Sequence, residues 1–177
     1  MKIEVNQVAL ECRVGDIAAQ SDIEAVVNAA NAELMPGGGV AGALHARAGR
    51  ELAKACAPLA PISPGEAVLT KGFNLPNAYV IHTLGPVYGR DEPSEELLAH
   101  CYRQSLKVAE NQGIASVAFP AISTGAFGYP LVSGAEVACR TVVSMVPELS
   151  HVRLVRFVMF DERAHEVFSE KLQQVAE

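Results

Sequence analysis

The stretch NAANAELMPGGGVAGALHARAG combines three adjacent glycines with the start of a predicted helix. Gly37, Gly38 and Gly39 have no side chains, so the backbone there can approach a bulky anion closely. The helix that follows would present unpaired N–H groups and the positive end of its dipole to that anion. This chemistry predicts a pyrophosphate site. The alternative is a flexible connection, since the run matches neither GxxxxGKS nor GxGxxG.

A second loop of small residues, STGAFGYP, runs from Ser123 to Pro130 and again lies between a predicted strand and a predicted helix. Two such loops could hold a diphosphate from both sides. The alternative is a tight strand-to-helix turn in which Phe127 and Tyr129 only cover the core. The presence of two glycine loops favours contact with an anion.

Asp16 and Phe160 each lie at the end of a predicted strand. Asp16 could cap a helix by accepting backbone N–H groups, or could accept a hydrogen bond from an exocyclic amine such as adenine N6. Phe160 is placed to stack on a base, although an aromatic at such a position more commonly packs in the core.

Three polar side chains near the glycines are candidates for chemistry on a bound sugar. Asn28 and Asn31 each supply a donor and an acceptor without charge, which suits ribose hydroxyls or a positioned water. Asparagine also favours turns for backbone reasons, so one of the two is expected to be structural. His45, one turn into the helix, is either a structural histidine or a catalytic base, and His82 inside a strand is expected to be structural.

The elements that must position these residues alternate along the chain. Strands are predicted within Ile3 to Val14 (one or two), 24–30, 66–72, 78–86, 116–122 and 152–160. Helices are predicted over Val40 to Cys56, over 95–113 with Ser94 as the cap, over Pro130 to Met145 and over Asp161 to Val175. The first of these helices should end before Pro58.

This alternation predicts an α/β fold with a mostly parallel, buried sheet and helices on both faces. The first strands make the sheet mixed. Ligands of open α/β sheets bind at the carboxyl ends of the strands. The Asp16 loop, the two glycine loops and the segment FDER should therefore gather on one edge.

Composition limits the classes of protein that fit. A chain of 177 residues predicts one domain, residues 1–177. The net charge of −6 disfavours sequence-independent nucleic-acid binding. No apolar run is long enough for a membrane span and no signal peptide is evident, so cytoplasmic localisation is expected. The four cysteines lack CxxC spacing and are expected to be buried free thiols, with no metal cluster.

Taken together, these segments resemble the macrodomain family, whose members bind ADP-ribose. The resemblance covers nearly the whole chain, because VGDI, AVVNAAN, GGGVAGAL, IHTLGP, VAFPAISTGAFGYP and FDE occur in the family's order. Each motif is weak alone, whereas the set is highly specific. The resemblance implies a three-layer α/β/α sandwich with a mixed, mostly parallel central sheet.

The resemblance also implies roles for individual residues. Asp16 would accept from adenine N6, with Ile17 contributing its backbone and Phe160 stacking on the base. Asn31 would contact the distal ribose, and Phe127 would shape the far wall. The implied pyrophosphate site comprises Gly38, Gly39, Val40 and the N–H groups of Ser123, Thr124, Gly125, Ala126 and Phe127.

Activity is the open point of the resemblance, because the family contains both hydrolases and non-catalytic readers. In one bacterial hydrolase branch the motif is GGGGVDGAIH, and its aspartate is assigned to activating water. Here Ala41 occupies that position, and an alanine cannot act as a base. A carboxylate leaving group and help from the substrate phosphate would still allow catalysis with Asn31 orienting water.

Two functions follow from this resemblance, and neither requires a metal or cofactor. The first is hydrolysis of mono-ADP-ribosyl esters on acidic side chains of proteins, or of O-acetyl-ADP-ribose, with Asn31 and His45 as catalytic candidates. The second is an ADP-ribose-binding reader module. A binder of RNA or poly-ADP-ribose is disfavoured by the acidic charge.

Overall fold

The computed structural model describes all residues, 1–177. The strands are β1 (Lys2–Val5), β2 (Val8–Val14), β3 (Ala25–Ala29), β4 (Ala67–Lys71), β5 (Tyr79–Thr83), β6 (Ser116–Phe119) and β7 (Leu154–Met159). The helices are α1 (Gly39–Ala48), α2 (Arg50–Cys56), α3 (Ser94–Gln112), α4 (Leu131–Met145) and α5 (Glu162–Ala176). None of the helices is long and apolar enough to span a membrane.

All seven strands join one mixed sheet in the order β1-β2-β7-β6-β3-β5-β4. The five central strands are parallel, and the outer pairs β1/β2 and β4/β5 are antiparallel. A larger apolar core lies between the sheet and α3, α4 and α5, and a smaller one lies beneath α1 and α2. The predicted three-layer α/β/α sandwich with a mixed, mostly parallel sheet is confirmed.

Two predicted helix features were wrong in detail. The helix predicted from Val40 to Cys56 is two helices, because Gly49 between them has a φ of 88°, a backbone conformation that favours glycine. Ser94 is the first residue of α3 instead of its cap. The amide of Ser94 donates to the carboxylate of Glu92 at 3.2 Å, so Glu92 supplies the hydrogen bond expected from Ser94.

The parallel arrangement places the carboxyl ends of β2, β7, β6, β3 and β5 on one edge. The loops that follow these strands therefore succeed one another in space in the order Asp16, Phe160, 120–130, 30–38 and 84–93. Adjacent strands lie about 4.8 Å apart, so this edge extends over roughly 19 Å. The predicted gathering of the four loops on one edge is confirmed.

Candidate functional site

The first end of the edge combines a carboxylate, an amide and an aromatic ring. Asp16 Oδ1 accepts from the amide of Ala18 at 2.9 Å and so caps a short 3₁₀ helix, Ile17–Ala19. Asp16 Oδ2 has no partner within the protein, and neither does the amide of Ile17. The two alternatives for Asp16 are therefore compatible, because one oxygen caps the helix while the other stays free.

Phe160 lies one residue beyond β7, and its side chain is 94% exposed. The core-packing alternative is thus wrong. The amide of Gly15 donates to the carbonyl of Met159 at 3.0 Å, which holds the ends of β2 and β7 together. This bond keeps the exposed ring of Phe160 and the carboxylate of Asp16 at adjacent strand ends.

The glycine loop leads directly into α1, which begins at Gly39 with Gly38 as its N-cap and no side-chain cap. The amides of Gly38, Gly39 and Val40 have no acceptor within the protein. Together with the helix dipole, these exposed amides form a favourable site for an anion. Gly39 has a φ of 56°, which a residue with a side chain rarely adopts.

Gly42 holds the glycine loop against α1, a role that the sequence analysis missed. A Cβ at Gly42 would overlap the carbonyl oxygen of Gly37, so the loop packs this closely only because Gly42 has no side chain. The amide of Gly42 also donates to the carbonyl of Gly38 at 3.2 Å. The glycine loop is therefore held in position by Gly42, which lies in the first turn of α1.

The second loop also presents backbone donors. The amides of Ser123, Gly125, Ala126 and Phe127 have no acceptor within the protein, whereas the amide of Thr124 donates to Ala121. Because β6 and β3 are neighbours in the sheet, this loop and the glycine loop lie at adjacent strand ends. Both can donate several N–H groups to one diphosphate.

Ser123 and Gly85 fix the position of this second loop. Ser123 has a φ of 66°, and its buried Oγ has no hydrogen-bond partner. A Cβ at Gly85 would overlap that Oγ and would lie 2.7 Å from Cγ2 of Ile122. Gly85, in the loop after β5, therefore lets the second loop reach its observed position.

A cleft of about 380 Å³ occupies the far end of the edge. Asn31 and Phe127 line it, as the sequence analysis expected for the distal wall. Ala32, next to Asn31, also lines it. The remaining lining residues come from segments that the sequence analysis did not assign to the site: Ile62, Ser63, Pro64, Leu84, Gly85, Val87, Arg90 and Asp91. The Gly-Pro pair that follows β5 after one intervening residue was the sequence signal for this additional loop.

Asn31 is half-buried in this cleft and braces its own loop. Its Nδ2 donates to the carbonyl of Met35 at 2.8 Å, and its Oδ1 accepts from the amide of Met35 at 3.0 Å. Nδ2 also lies 3.3 Å from the position of a Cβ on Gly37. The amide of Asn31 is thus held at the border between the glycine loop and the cleft.

Asn28 is buried, contrary to its assignment as a ligand-binding residue. Its side chain is 1% exposed, and Nδ2 lies 3.1 Å from Nδ1 of His82 on the neighbouring strand β5. Nε2 of His82 lies 2.9 Å from Oγ1 of Thr70, so His82 is structural as expected. Asn28 therefore links two strands and has no surface that a ligand in the cleft can contact.

His45 is likewise buried, contrary to its assignment as a catalytic candidate. It is 6% exposed, and both ring nitrogens are inaccessible and without a hydrogen-bond partner. A general base needs a nitrogen within reach of the proton it removes. Burial also lowers the pKa of His45. The structure therefore gives His45 a place in the core beneath α1 and no direct contact with water in the cleft.

These buried histidines predict a pH dependence of folding stability. Burial lowers the pKa of His82 from 6.5 to about 3. Below pH 6.5 the unfolded chain therefore binds protons that the folded protein does not. The free energy of unfolding thus decreases as the pH is lowered. One such group lowers the free energy of unfolding by about 2 kcal/mol between pH 6.5 and pH 5, and His45 adds to the loss in the same direction.

Urea unfolding at pH 7.0 and pH 5.0 tests this expectation. Two carboxyls, those of Asp22 and Glu110, have a pKa lowered to about 2. Their contribution to the free energy of unfolding is lost only as the pH falls below the ordinary carboxyl pKa, which lies outside the range from pH 7.0 to pH 5.0. His82→Gln should reduce the pH difference whatever its effect on absolute stability. A free energy of unfolding that is equal at both pH values would contradict the assignment of His82 as neutral.

The fold and this edge define a class of protein: an α/β/α sandwich whose strand-end loops present unpaired backbone amides between an exposed carboxylate and a cleft. A family model described as Macro domain matches residues 27–138. The chain belongs to the macrodomain family. No group of three or more His, Cys, Asp or Glu side chains is close enough to hold a metal ion.

Relatives share both the sequence and the fold over most of the chain. A protein of Escherichia fergusonii named O-acetyl-ADP-ribose deacetylase is 42% identical over 165 residues, covering 90% of this chain and 93% of that protein. The macrodomain of Oceanobacillus iheyensis, solved with ADP, superposes with a TM-score of 0.94 at 40% identity, covering 99% of this chain and 95% of that one. A Trypanosoma brucei macrodomain in complex with ADP-ribose gives a TM-score of 0.83 at 35% identity, covering 91% and 68%.

Proposed function

We propose that this protein binds ADP-ribose along the strand-end edge and hydrolyses mono-ADP-ribosyl esters of acidic side chains or O-acetyl-ADP-ribose. The observation that carries the proposal is the order of the loops along the sheet. An exposed carboxylate and aromatic ring come first, two amide-lined loops follow, and the cleft lined by Asn31 and Phe127 comes last. A base, a diphosphate and a distal sugar follow one another in the same order in ADP-ribose.

Each part of the edge suits the corresponding part of this ligand. Asp16 Oδ2 accepts from the exocyclic amine of adenine, and Phe160 stacks on the ring. The free amides of Gly38, Gly39 and Val40 and those of Ser123, Gly125, Ala126 and Phe127 hold the diphosphate without burying a cation. The cleft at Asn31 receives the distal ribose and the group attached to it.

The hydrolytic step needs little help from a base. In an ester at the anomeric carbon, water attacks that carbon, the bond to the carboxylate oxygen breaks, and the carboxylate leaves with the bonding pair. The proton released by the water passes to a phosphate oxygen of the substrate or to solvent. Asn31 contributes by orienting the water or the sugar, since its amide offers both a donor and an acceptor.

The alternative function, a non-catalytic reader of mono-ADP-ribosylated proteins, is favoured by the scarcity of bases in the cleft. Ala41 is a buried methyl group, and neither ring nitrogen of His45 is accessible. Asp91 is the one carboxylate that lines the cleft, and a hydrogen bond from the amide of Val87 lowers its pKa and makes it a weaker base. Turnover distinguishes the two functions.

Calorimetric titration with ADP-ribose tests the binding proposal, with Asp16→Asn as the decisive variant. Asparagine keeps the oxygen that caps Ala18 but replaces the free Oδ2 with an NH₂ group, which cannot accept from adenine. We expect the affinity to fall by about tenfold or more, since a hydrogen bond to a charged group contributes about 1.5–3 kcal/mol. The melting temperature should be unchanged. Equal affinities would remove Asp16 from the base site.

Single-turnover assays with the enzyme in excess test catalysis. The substrates are a glutamate-linked mono-ADP-ribosylated protein and O-acetyl-ADP-ribose, and the product measured is free ADP-ribose. Release faster than the enzyme-free control supports the hydrolase. Release equal to that control, by protein that binds ADP-ribose, establishes the reader function instead.

A further inference from the structure

A buried arginine lies behind the Asp16 loop, away from every surface considered so far. Arg156 in β7 is 1% exposed. Its Nε donates to Glu11 Oε2 at 2.8 Å, and Nη1 and Nη2 donate to the two carboxylate oxygens of Asp22 at 2.8 and 2.7 Å. These two acidic residues already balance the guanidinium charge.

Gln20 is the remaining partner of this guanidinium and its only neutral one. Nη1 of Arg156 donates to Gln20 Oε1 at 2.9 Å. The other end of the same amide, Nε2, donates to the backbone carbonyl of Asp16 at 2.8 Å. Gln20 therefore connects the buried charge directly to the residue that carries the free carboxylate oxygen.

The contacts around Asp16 leave its backbone little freedom. Its carbonyl accepts from both Gln20 Nε2 and the amide of Ala19, the latter at 3.0 Å. A Cβ on Gly15 would lie 3.3 Å from Gln20 Nε2, so the amide also packs against the preceding residue. The backbone carbonyl of Gln20 in turn accepts from Asn77 Nδ2 at 2.7 Å. The Gln20 side chain is thus held by Arg156, by the Asp16 carbonyl and by packing against Gly15, while Asn77 holds its backbone.

From this chain of contacts we propose that Gln20, held by Arg156, is a positioning residue that sets the selectivity of the Asp16 end of the edge for adenine. The proposal rests on the proposed binding of ADP-ribose. The two carboxylates neutralise Arg156 without Gln20. The contribution of the Gln20 contact is therefore to hold the backbone of the Asp16 loop in position. A charge-assisted hydrogen bond depends steeply on alignment, so loosening the Asp16 backbone weakens the bond from the exocyclic amine more than the contacts to the diphosphate.

The test compares ADP-ribose with its hypoxanthine analogue, which has a carbonyl oxygen in place of the exocyclic amine. Wild-type protein should prefer ADP-ribose by about tenfold or more in Kd. Gln20→Glu keeps an acceptor for Arg156 but cannot donate to the Asp16 carbonyl, and Gln20→Met removes both contacts at similar volume. In both variants the preference should fall below about threefold, whereas Asp16→Asn should abolish or reverse it, because its NH₂ group can donate to the hypoxanthine carbonyl.

The outcomes separate the two proposals. A variant that keeps the wild-type preference overturns the role of Gln20 and leaves ADP-ribose binding intact. Wild-type protein that binds both ligands equally overturns base selection through Asp16, and with it the role of Gln20. Wild-type protein that binds neither ligand overturns the proposed function itself.

A measurement on the wild-type protein covers the case in which the variants fail to fold. AMP should shift the NMR signals of the Gln20 side-chain amide, whereas the hypoxanthine nucleotide IMP should shift them less. Equal shifts with the two nucleotides would overturn the proposal, because a purely structural amide does not respond to the exocyclic amine.

Discussion

Asn31→Ala is expected to lower the single-turnover rate of ester hydrolysis by about 10²-fold, with the Kd for ADP-ribose changed by only a few fold. Orientation of the attacking water or of the sugar contributes to the transition state, and the loss of such positioning commonly costs about this much. Most of the proposed binding contacts lie at the base and the diphosphate, and none of these is made by the Asn31 side chain. Rapid quench with the protein in excess over substrate measures the rate, and calorimetry measures the affinity.

The matched control for this substitution addresses the turn that Asn31 holds. Both ends of its amide bond the backbone of Met35, so alanine removes a brace as well as a polar group. Asn31→Asp keeps the acceptor for the Met35 amide and loses the donor to the Met35 carbonyl, whereas Met35→Ala trims a 60% exposed side chain and leaves both bonds. We expect the single-turnover rate of Asn31→Asp to be lower than that of the wild type, and the rate of Met35→Ala to be equal to it. A wild-type rate in Asn31→Ala would make Asn31 a turn residue only.

The sequence predicted the elements and their order well, because hydrophobic periodicity and the turn-forming residues at strand ends are local properties. The strand pair at the start, the parallel run in the middle and the gathering of the loops at one edge all follow from these signals. The break at Gly49 was missed because the Ala- and Leu-rich run on both sides has one continuous helical composition. A single positive φ interrupts it.

The errors at the site have a different origin. His45 shares the buried face of α1 with Ala41, Leu44 and Ala48. Counted from Ala41 these residues lie at i, i+3, i+4 and i+7, a pattern that the helical period already places on one face. The assignment of His45 as a catalytic candidate rested on its closeness in sequence to the glycines, although the helical pattern indicated burial. The burial of Asn28 depends on its register opposite His82, which two separated strands determine together.

The structural glycines could not be identified from the sequence. Gly42 and Gly85 are required because of atoms that come from other segments, namely the carbonyl of Gly37 and the side chains of Ser123 and Ile122. Such close approaches exist only once the chain has folded. Mutations at these two positions therefore test the geometry of the amide-lined loops without changing any of the amides proposed to hold the diphosphate.

Gly85→Ala is expected to weaken ADP-ribose binding by about tenfold or more, although Gly85 donates nothing to the diphosphate. The added methyl group would overlap Ser123 Oγ and press on Ile122 Cγ2, so the second loop must move and its free amides lose their alignment. Overpacking of this kind typically costs about 1–3 kcal/mol of stability as well. Calorimetry and thermal unfolding measure the two effects.

The double variant Gly85→Ala with Ser123→Gly distinguishes displacement of the loop from general damage. Removing Oγ opens the space that the new methyl group needs, and glycine suits the φ of 66° at this position. Ser123→Gly alone should bind almost normally, because Oγ has no partner to lose. We therefore expect the double variant to recover part of the affinity, with a remainder lost to the contact at Ile122. Equal affinities of the double variant and Gly85→Ala would show that Ser123 does not transmit the effect, and a normal affinity in Gly85→Ala would show that the second loop does not hold the diphosphate.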